Sequence, residues 1–466
     1  MSGVRAARIT PLRRRKHSQH AHGGHLMVNV NTSTTTPAPS YSPAPASTNV
    51  AAMAMVTTLF FFWGFVTVLN DILVPHLKSI FDLNYAKVML IQFAFFSAYF
   101  IFSIPSARLV DAIGYKKTMV TGLFTMGAGA LLFIPAASAA SFPLFLVALM
   151  TLAAGITALQ VAANPYVAVL GPPETASSRL NLTQAFNSLG TTIGPYLGGL
   201  LILNANFKGT GETRQMSPDV LQSYRVLEAS SVKLPYLVIG VALIIFGIVI
   251  ATFKLPDIPG AARHAGSGVK ASLWKYRQLV FGMIGIFVYV GAEVSIGSFL
   301  INYFGQPEIG SLPEFAAAKY VTYYWGGAMV GRFIGSAILQ KVKTGTVLAI
   351  AAITACTLVC ISMLTTGHIA MWSIIAVGLF NSIMFPSIFT LGIAELGPLT
   401  GDGSGMLVMA IVGGAILPVL QGAIADRIGI HHAFIIPAVC YLYILYYALW
   451  GSRPTPVVLE TPVAAQ

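Results

Sequence analysis

The stretch ITALQVAANPYVAVLG, residues 156–171, sets two amides and a proline into an otherwise apolar run. Gln160 and Asn164 stand four apart, so a helix projects both from one face. Pro165 brings no backbone donor, which frees a carbonyl one turn earlier. In LNLTQAFNSLG, Gln184 and Asn187 are three apart and again share a face. An amide donates and accepts hydrogen bonds at once. Four of them around one cavity suit a neutral ligand rich in hydroxyls, each of which also gives and takes. Asn302, Asn381 and the aromatic cluster Tyr323, Tyr324 and Trp325 extend this set toward the C-terminus, where an aromatic face can stack on the C–H side of a sugar ring. Interhelical amide bonding is the competing use of the same residues.

Two carboxylates stand apart from these amides. Asp71 follows the aromatic-rich run FFFWGFVTVLN, and Glu293 sits inside VYVGAEVSIGSF. A carboxylate that is charged in a wet cavity and neutral in a dry one can carry a proton, so both are candidate ion-coupling residues. A sodium ion held by oxygen atoms near Asp71 and Gln160 is the alternative. Asp111, Gly114, Lys116 and Lys117 in RLVDAIGYKK, with Arg332 in GGAMVGRF, have the makings of a conformational latch. No other metal site is expected, and no grouping typical of an enzyme is readable.

The elements that must hold these residues follow from composition. Of 466 residues, 56% are apolar and 9% charged, against roughly 25% charged in a soluble domain. Long stretches nearly free of charge recur between residues 52 and 451, each near the ~20 residues that cross a bilayer as a helix. Twelve are counted. At a helix centre in lipid, Asp, Lys or Arg costs roughly 2.5–3.5 kcal/mol, so each needs a partner or a wet cavity.

The net charge of +12 lies largely in a basic segment at residues 5–16 and in loops on one side of the predicted spans, which is the positive-inside pattern rather than a nucleic-acid surface. Both termini are therefore expected in the cytoplasm. Residues 1–50 read as a disordered basic tail rich in Pro and Thr, 51–253 as one six-helix bundle, and 254–278 as a cytoplasmic linker. Residues 279–451 read as a second bundle, and 452–466 as a cytoplasmic tail. A shift of about 221 places lays Gln160 on Asn381 and Pro165 on Pro386. Two six-helix halves related by such a parallel repeat describe the major facilitator architecture, with its substrate site between the halves at mid-membrane.

LNDILVPHLK, LQVAANPYVAVLGPPETASSRLNLTQAFNSLGTTIGP, GIFVYVGAEVSIGSFL, YYWGGAMVGRFIGS and GLFNSIMFPSIFTL together resemble the fucose permease-type family of the major facilitator superfamily, and more closely its bacterial glucose/galactose transporters. The resemblance covers residues 55–450 or so. It implies a monosaccharide symporter in the bacterial inner membrane, acting as a monomer, with no cofactor beyond a coupling proton or sodium ion. The partners expected are the sugar and the lipid bilayer. In the fucose permease, acids of the first and fourth helices serve proton coupling and sugar recognition, and helix-five amides contact the sugar. These map onto Asp71 and onto Gln184 and Asn187. Gln160 stands where that permease has a glutamate and cannot titrate, so a two-carboxylate scheme does not carry over unchanged. N-acetylglucosamine and fucose are the rival substrates, and a sugar sensor that does not transport is the rival of another class.

Overall fold

The computed structural model describes residues 47–81, 85–202, 217, 220, 232–256 and 272–454, with the side chains of 69–81, 85–90, 195–202 and 314–315 outside the description. Every described element is helical. In order these are α1 (Val50–Phe81), α2 (Tyr85–Ser138), α3 (Phe142–Val169), α4 (Ala176–Ile202), α5 (Lys233–Thr252), α6 (Arg277–Phe304) and α7 (Glu314–Ile338). There follow α8 (Thr344–Leu364), α9 (Gly367–Asn381), α10 (Met384–Gly392), α11 (Thr400–Met409), α12 (Gly413–Ile428), α13 (Ile430–Ala433) and α14 (Ile435–Tyr446). Nine segments among the described residues are long and apolar enough to cross a membrane.

One of these segments, Ile91–Ser138, is two crossings joined where Gly114 leaves helical geometry at φ 83°. Only glycine takes that backbone readily, and it turns the chain back on itself inside RLVDAIGYKK. α4 and α7 are more polar than these segments, and with them the helices make up the twelve crossings expected from the sequence. Their low apolar content has a cause visible below: they face each other across the middle of the molecule. The expected N-terminal tail, most of the linker and most of the C-terminal tail fall outside the described residues.

Within each half the helices close on small residues. A Cβ at Gly155 of α3 would lie 2.5 Å from the Met126 nitrogen and 2.6 Å from the Gly122 oxygen, so α2 and α3 touch backbone to backbone. Gly64 of α1 and Asn187 of α4 repeat this, with only 2.1 Å between such a Cβ and the Asn187 oxygen. Lipid tails are as apolar as leucine, so membrane helices associate through close packing of this kind and through interhelical hydrogen bonds.

Between the halves the contact is of another character. Ser177 Oγ meets Thr390 Oγ1 at 2.6 Å, and Thr344 Oγ1 donates to Ser177 Oγ at 2.8 Å. Ser178 Oγ donates to the Ser336 carbonyl at 2.7 Å while Ser336 Oγ donates back to the Ser178 carbonyl at 3.0 Å. Asn181 Nδ2 donates to the Arg332 carbonyl at 2.7 Å. Among the described residues the hydrogen bonds that cross between halves gather toward the end of the molecule bearing the Gly114 turn. Water can replace hydroxyl and carbonyl partners of this sort, so these bonds can be exchanged when the seam parts.

Candidate functional site

The two halves present unequal arrays to the centre. On α3, Gln160 is buried and donates from Nε2 to Tyr99 Oη of α2 at 3.1 Å. Asn164, one turn on, is fully buried, and neither its Oδ1 nor its Nδ2 has a partner. A buried amide left open at both ends costs free energy unless water or a ligand satisfies it. α4 carries Gln184, which is buried, and Asn187, whose Nδ2 donates to the Phe60 carbonyl of α1 at 2.9 Å. Asn187 is thereby also a brace between its own helix and α1. Asp71 falls on α1, and its side chain lies outside the described residues.

Pro165 finds its explanation here. α3 runs on through the proline, so the carbonyl one turn back, at Val161, has lost its helical donor. Ser404 Oγ on α11, in the other half, donates to that carbonyl at 2.8 Å. The equivalent proline in the second half, Pro386, likewise frees the Ser382 carbonyl, which accepts from Arg332 Nε at 3.3 Å. Both prolines thus expose an acceptor, and a residue at or beside the seam takes it.

In the second half, Asn381 is fully buried with every amide function engaged. Its Nδ2 donates to Tyr324 Oη at 2.9 Å, and its Oδ1 accepts from Tyr441 Oη at 2.7 Å. Its backbone carbonyl accepts from Tyr289 Oη at 3.0 Å. In this conformation Asn381 organises three tyrosines rather than offering a free amide. Beside them is Glu293, half-buried on α6, with Oε1 shielded from solvent and without a hydrogen-bond partner. Arg332, Tyr289, Tyr324 and Tyr441 all lie within electrostatic reach of it. Trp325 packs its ring edge-on against Tyr324 at 5.1 Å and lies over Gly297 of α6, and the residue as a whole is exposed. Asn302 is exposed near the end of the same helix, two residues before its last, so nine residues, about 13 Å along the axis, separate it from Glu293.

Arg332 spans the seam. Its NH1 group donates to Ser188 Oγ of α4, in the opposite half, and its backbone carbonyl accepts from Asn181. Farther toward the closed end, Asp111 lies in the turn beyond the second crossing, against Gly401 and Asp402 at the start of α11. Burial first, and then the charge and hydrogen bond of Asp402, push the Asp111 carboxyl up to about 7. Lys116 is half-buried and Lys117 exposed in the same turn.

Sequence reasoning did not single out Tyr99, Ser188, Ser404, Tyr441 or Arg179. Arg179 lies at the head of α4 and donates to the carbonyls of Val167, Ala168 and Pro172 and to Thr175 Oγ1. These include terminal carbonyls of α3, whose own helix supplies no donor. Arg179 is the fourth residue of α4 and reaches back to the C-terminus of α3, where a cation is favoured; its place in the chain, ten residues past Val169, gave no signal of this.

With the geometry in hand, the comparisons with known proteins can be placed. Residues 52–411 match the model of the Major Facilitator Superfamily. The chain is 54% identical over 402 residues to the glucose/galactose transporter of Brucella abortus biovar 1 (strain 9-941), covering 86% of this chain and 94% of that protein. It is 36% identical over 407 residues to the L-fucose-proton symporter of Escherichia coli (strain K12), covering 86% and 93%. A crystal structure of a major facilitator superfamily transporter in the outward conformation superposes with a TM-score of 0.81 at 36% identity, covering 86% of this chain and 98% of that one.

Proposed function

This chain belongs to the major facilitator superfamily, and from that premise we propose that it imports glucose or galactose by alternating access, coupled to inward proton movement. It is a multi-pass membrane protein and a sugar transporter of the symporter type. The identity of the sugar rests on the likeness to glucose/galactose transporters. The amide-rich centre supports it, because Gln160, Asn164, Gln184 and Asn187 offer a neutral polyol donors and acceptors together. Asn302, Trp325 and Asn381 are the contribution proposed for the second half. For Asn381, contact with sugar requires that Tyr324 or Tyr441 release it.

One observation supports alternating access: among the described residues, the hydrogen bonds between the halves gather toward one end. The Gly114 turn at that end carries Lys116 and Lys117, so by the positive-inside pattern it faces the cytoplasm. On this orientation, with both termini cytoplasmic in the inner membrane, the conformation described is outward-facing. The coupling ion is assigned to Glu293 and Asp71, since Gln160 cannot hold a proton. The transporter is proposed to work as a monomer without nucleic acid or cofactor.

Uptake of labelled D-glucose and D-galactose into proteoliposomes tests this reading, with an imposed proton gradient and, in parallel, a sodium gradient. Proton-driven accumulation, competed by either unlabelled hexose, is the expected result. Accumulation driven by sodium alone would overturn the proton assignment. Competition only by N-acetylglucosamine or L-fucose would move the substrate, and hexose binding without net flux would make the protein a sensor.

A further inference from the structure

We propose that the cytoplasmic end of the groove between α6 and α14 is a binding site for the headgroup of an anionic phospholipid, with Arg277 as the residue that takes the phosphate. The inference does not depend on which sugar is carried, and only the choice of leaflet rests on the orientation given above.

LWKYRQL, residues 273–279, sets two cations and two aromatic residues where α6 begins, and YYALWGSRP, residues 446–454, sets three aromatic residues and Arg453 where α14 ends. Tryptophan and tyrosine collect at the membrane–water interface and cations on its cytoplasmic side, so composition by itself marks a boundary and no more. The packing joins the two segments into one surface. Tyr443 Oη donates to the Phe281 carbonyl at 3.0 Å, and a Cβ at Gly451 would lie 3.5 Å from Phe281 Cβ. The rings of Phe281 and Tyr446 meet edge to face at 5.9 Å, and Trp450 follows 6.2 Å from Tyr446. Arg277 lies on this aromatic surface, its guanidinium carbon 5.2 Å from the centre of the Phe281 ring and its Nη2 donating to Tyr446 Oη at 3.4 Å.

Both partners that Arg277 has among the described residues are neutral, and the bond to Tyr446 uses one of five guanidinium donors. A guanidinium fixed over a ring presents a planar fork that matches two phosphate oxygens. Lys275, two residues earlier, and Arg453, two residues past Gly451, are exposed and add positive charge at the same end. Tyr276 gives the start of α6 no side-chain cap, and a helix start favours an anion. The acid of the neighbouring loop, Glu395, adjoins Ala394, which Gln278 binds from the buried side of α6, whereas Arg277 is on the exposed side. A zwitterionic headgroup would bring its own ammonium into this field, so the charge selects an anionic one.

The surface below the arginine selects a lipid over a free anion. Arg277, Phe281 and Ile284 are spaced four and three apart and share one face of α6. Ile284 and Leu442 of α14 are exposed and carry the groove toward the membrane centre as apolar surface along which acyl chains can lie.

Native mass spectrometry tests this on the full chain purified in detergent and offered dioleoyl phosphatidylglycerol or dioleoyl phosphatidylcholine, which share acyl chains and differ in headgroup charge. The unaltered protein is expected to hold phosphatidylglycerol in preference. Arg277→Gln is expected to weaken that binding about fivefold and to leave phosphatidylcholine unaffected, while Lys341→Gln, exposed at another turn of the same end, changes neither. The thermal midpoint in lipid-free detergent checks that Arg277→Gln is folded; if it is not, Arg453→Gln, beyond the last helical turn, takes its place with the same loss expected. Equal retention of the two lipids by the unaltered protein, undiminished binding in the arginine variant, or an equal loss in Lys341→Gln overturns the proposal. Displacement of phosphatidylglycerol by excess inorganic phosphate also overturns it, by making this a site for free anions.

Discussion

Asn381 shows how a single buried amide can order the side chains around it. Its side chain gives one hydrogen bond and takes another, both with tyrosine hydroxyls, and its carbonyl takes a third. Replacing it with Leu keeps the volume near and strands the hydroxyls of Tyr324 and Tyr441, at about 1–3 kcal/mol for each group left unsatisfied. Asn381→Leu is expected to lower the thermal midpoint in detergent by several degrees; an unchanged midpoint would show that the two tyrosines repartner. Gln160 is the contrasting case, since among the described residues its amide is bonded to Tyr99 by one donor. Gln160→Ala is expected to raise the half-saturating hexose concentration about tenfold, the worth of one hydrogen bond near 1.4 kcal/mol, with little effect on the thermal midpoint. Equilibrium binding of labelled glucose measures this, and unchanged affinity removes Gln160 from the sugar site. The sequence singled out these amides because they are rare in apolar runs. It could not separate a satisfied amide from an available one, because the tyrosines that decide the matter, Tyr99, Tyr324 and Tyr441, are common in membrane helices and carry no spacing signal.

At the level of helices, glycine serves two different joints. Gly155 packs α3 on the backbone of α2 within one half, whereas Gly405 of α11 sits between the halves, where an added Cβ would lie 2.7 Å from Ala107 Cβ and 3.2 Å from the Ser103 carbonyl. The same substitution should therefore have different consequences. Gly155→Ala forces backbones apart inside a bundle, where overpacking costs about 1–3 kcal/mol, and is expected to reduce the yield of folded protein in size-exclusion chromatography. Gly405→Ala wedges only the seam. It should leave the yield intact and increase the reactivity toward a membrane-impermeant thiol reagent of a cysteine placed at Ser336, which is buried in the closed seam. Equal loss of yield in both variants would deny the distinction. The prolines belong to this scale as well. Pro165 and Pro386 were legible as repeat mates, but the use of their freed carbonyls was not. That needed the positions of Ser404 and Arg332, which lie hundreds and tens of residues away along the chain and meet them only through tertiary packing.

For the molecule as a whole, the twelve crossings and the pairing of halves were readable because lipid imposes a long apolar run on every helix, a signal that survives single residues. Which end is shut is not a property of composition. It lies in cross-half contacts made by serines, threonines, Asn181 and Arg332 and by the carboxyl pair Asp111 and Asp402, and that pair makes the closed end sensitive to pH. Asp111 titrates near 7 while the end is closed, against 3.8 for an ordinary aspartate, through burial and through Asp402. Opening the end to water returns Asp111 toward the ordinary value. Between these limits the closed form holds the extra proton, so closure gains as pH falls through about 7 and loses that contribution above it. Asp402→Asn removes the neighbouring charge and offers Asp111 an amide donor in its place. It leaves burial, the larger cause, untouched. The distance between spin labels at Lys117→Cys and Lys341→Cys, exposed on opposite halves, should then report a closed-state midpoint moved to lower pH in Asp402→Asn. A midpoint near 7 in Asp402→Asn would mean that burial alone sets the Asp111 proton and that Asp402 is only its neighbour.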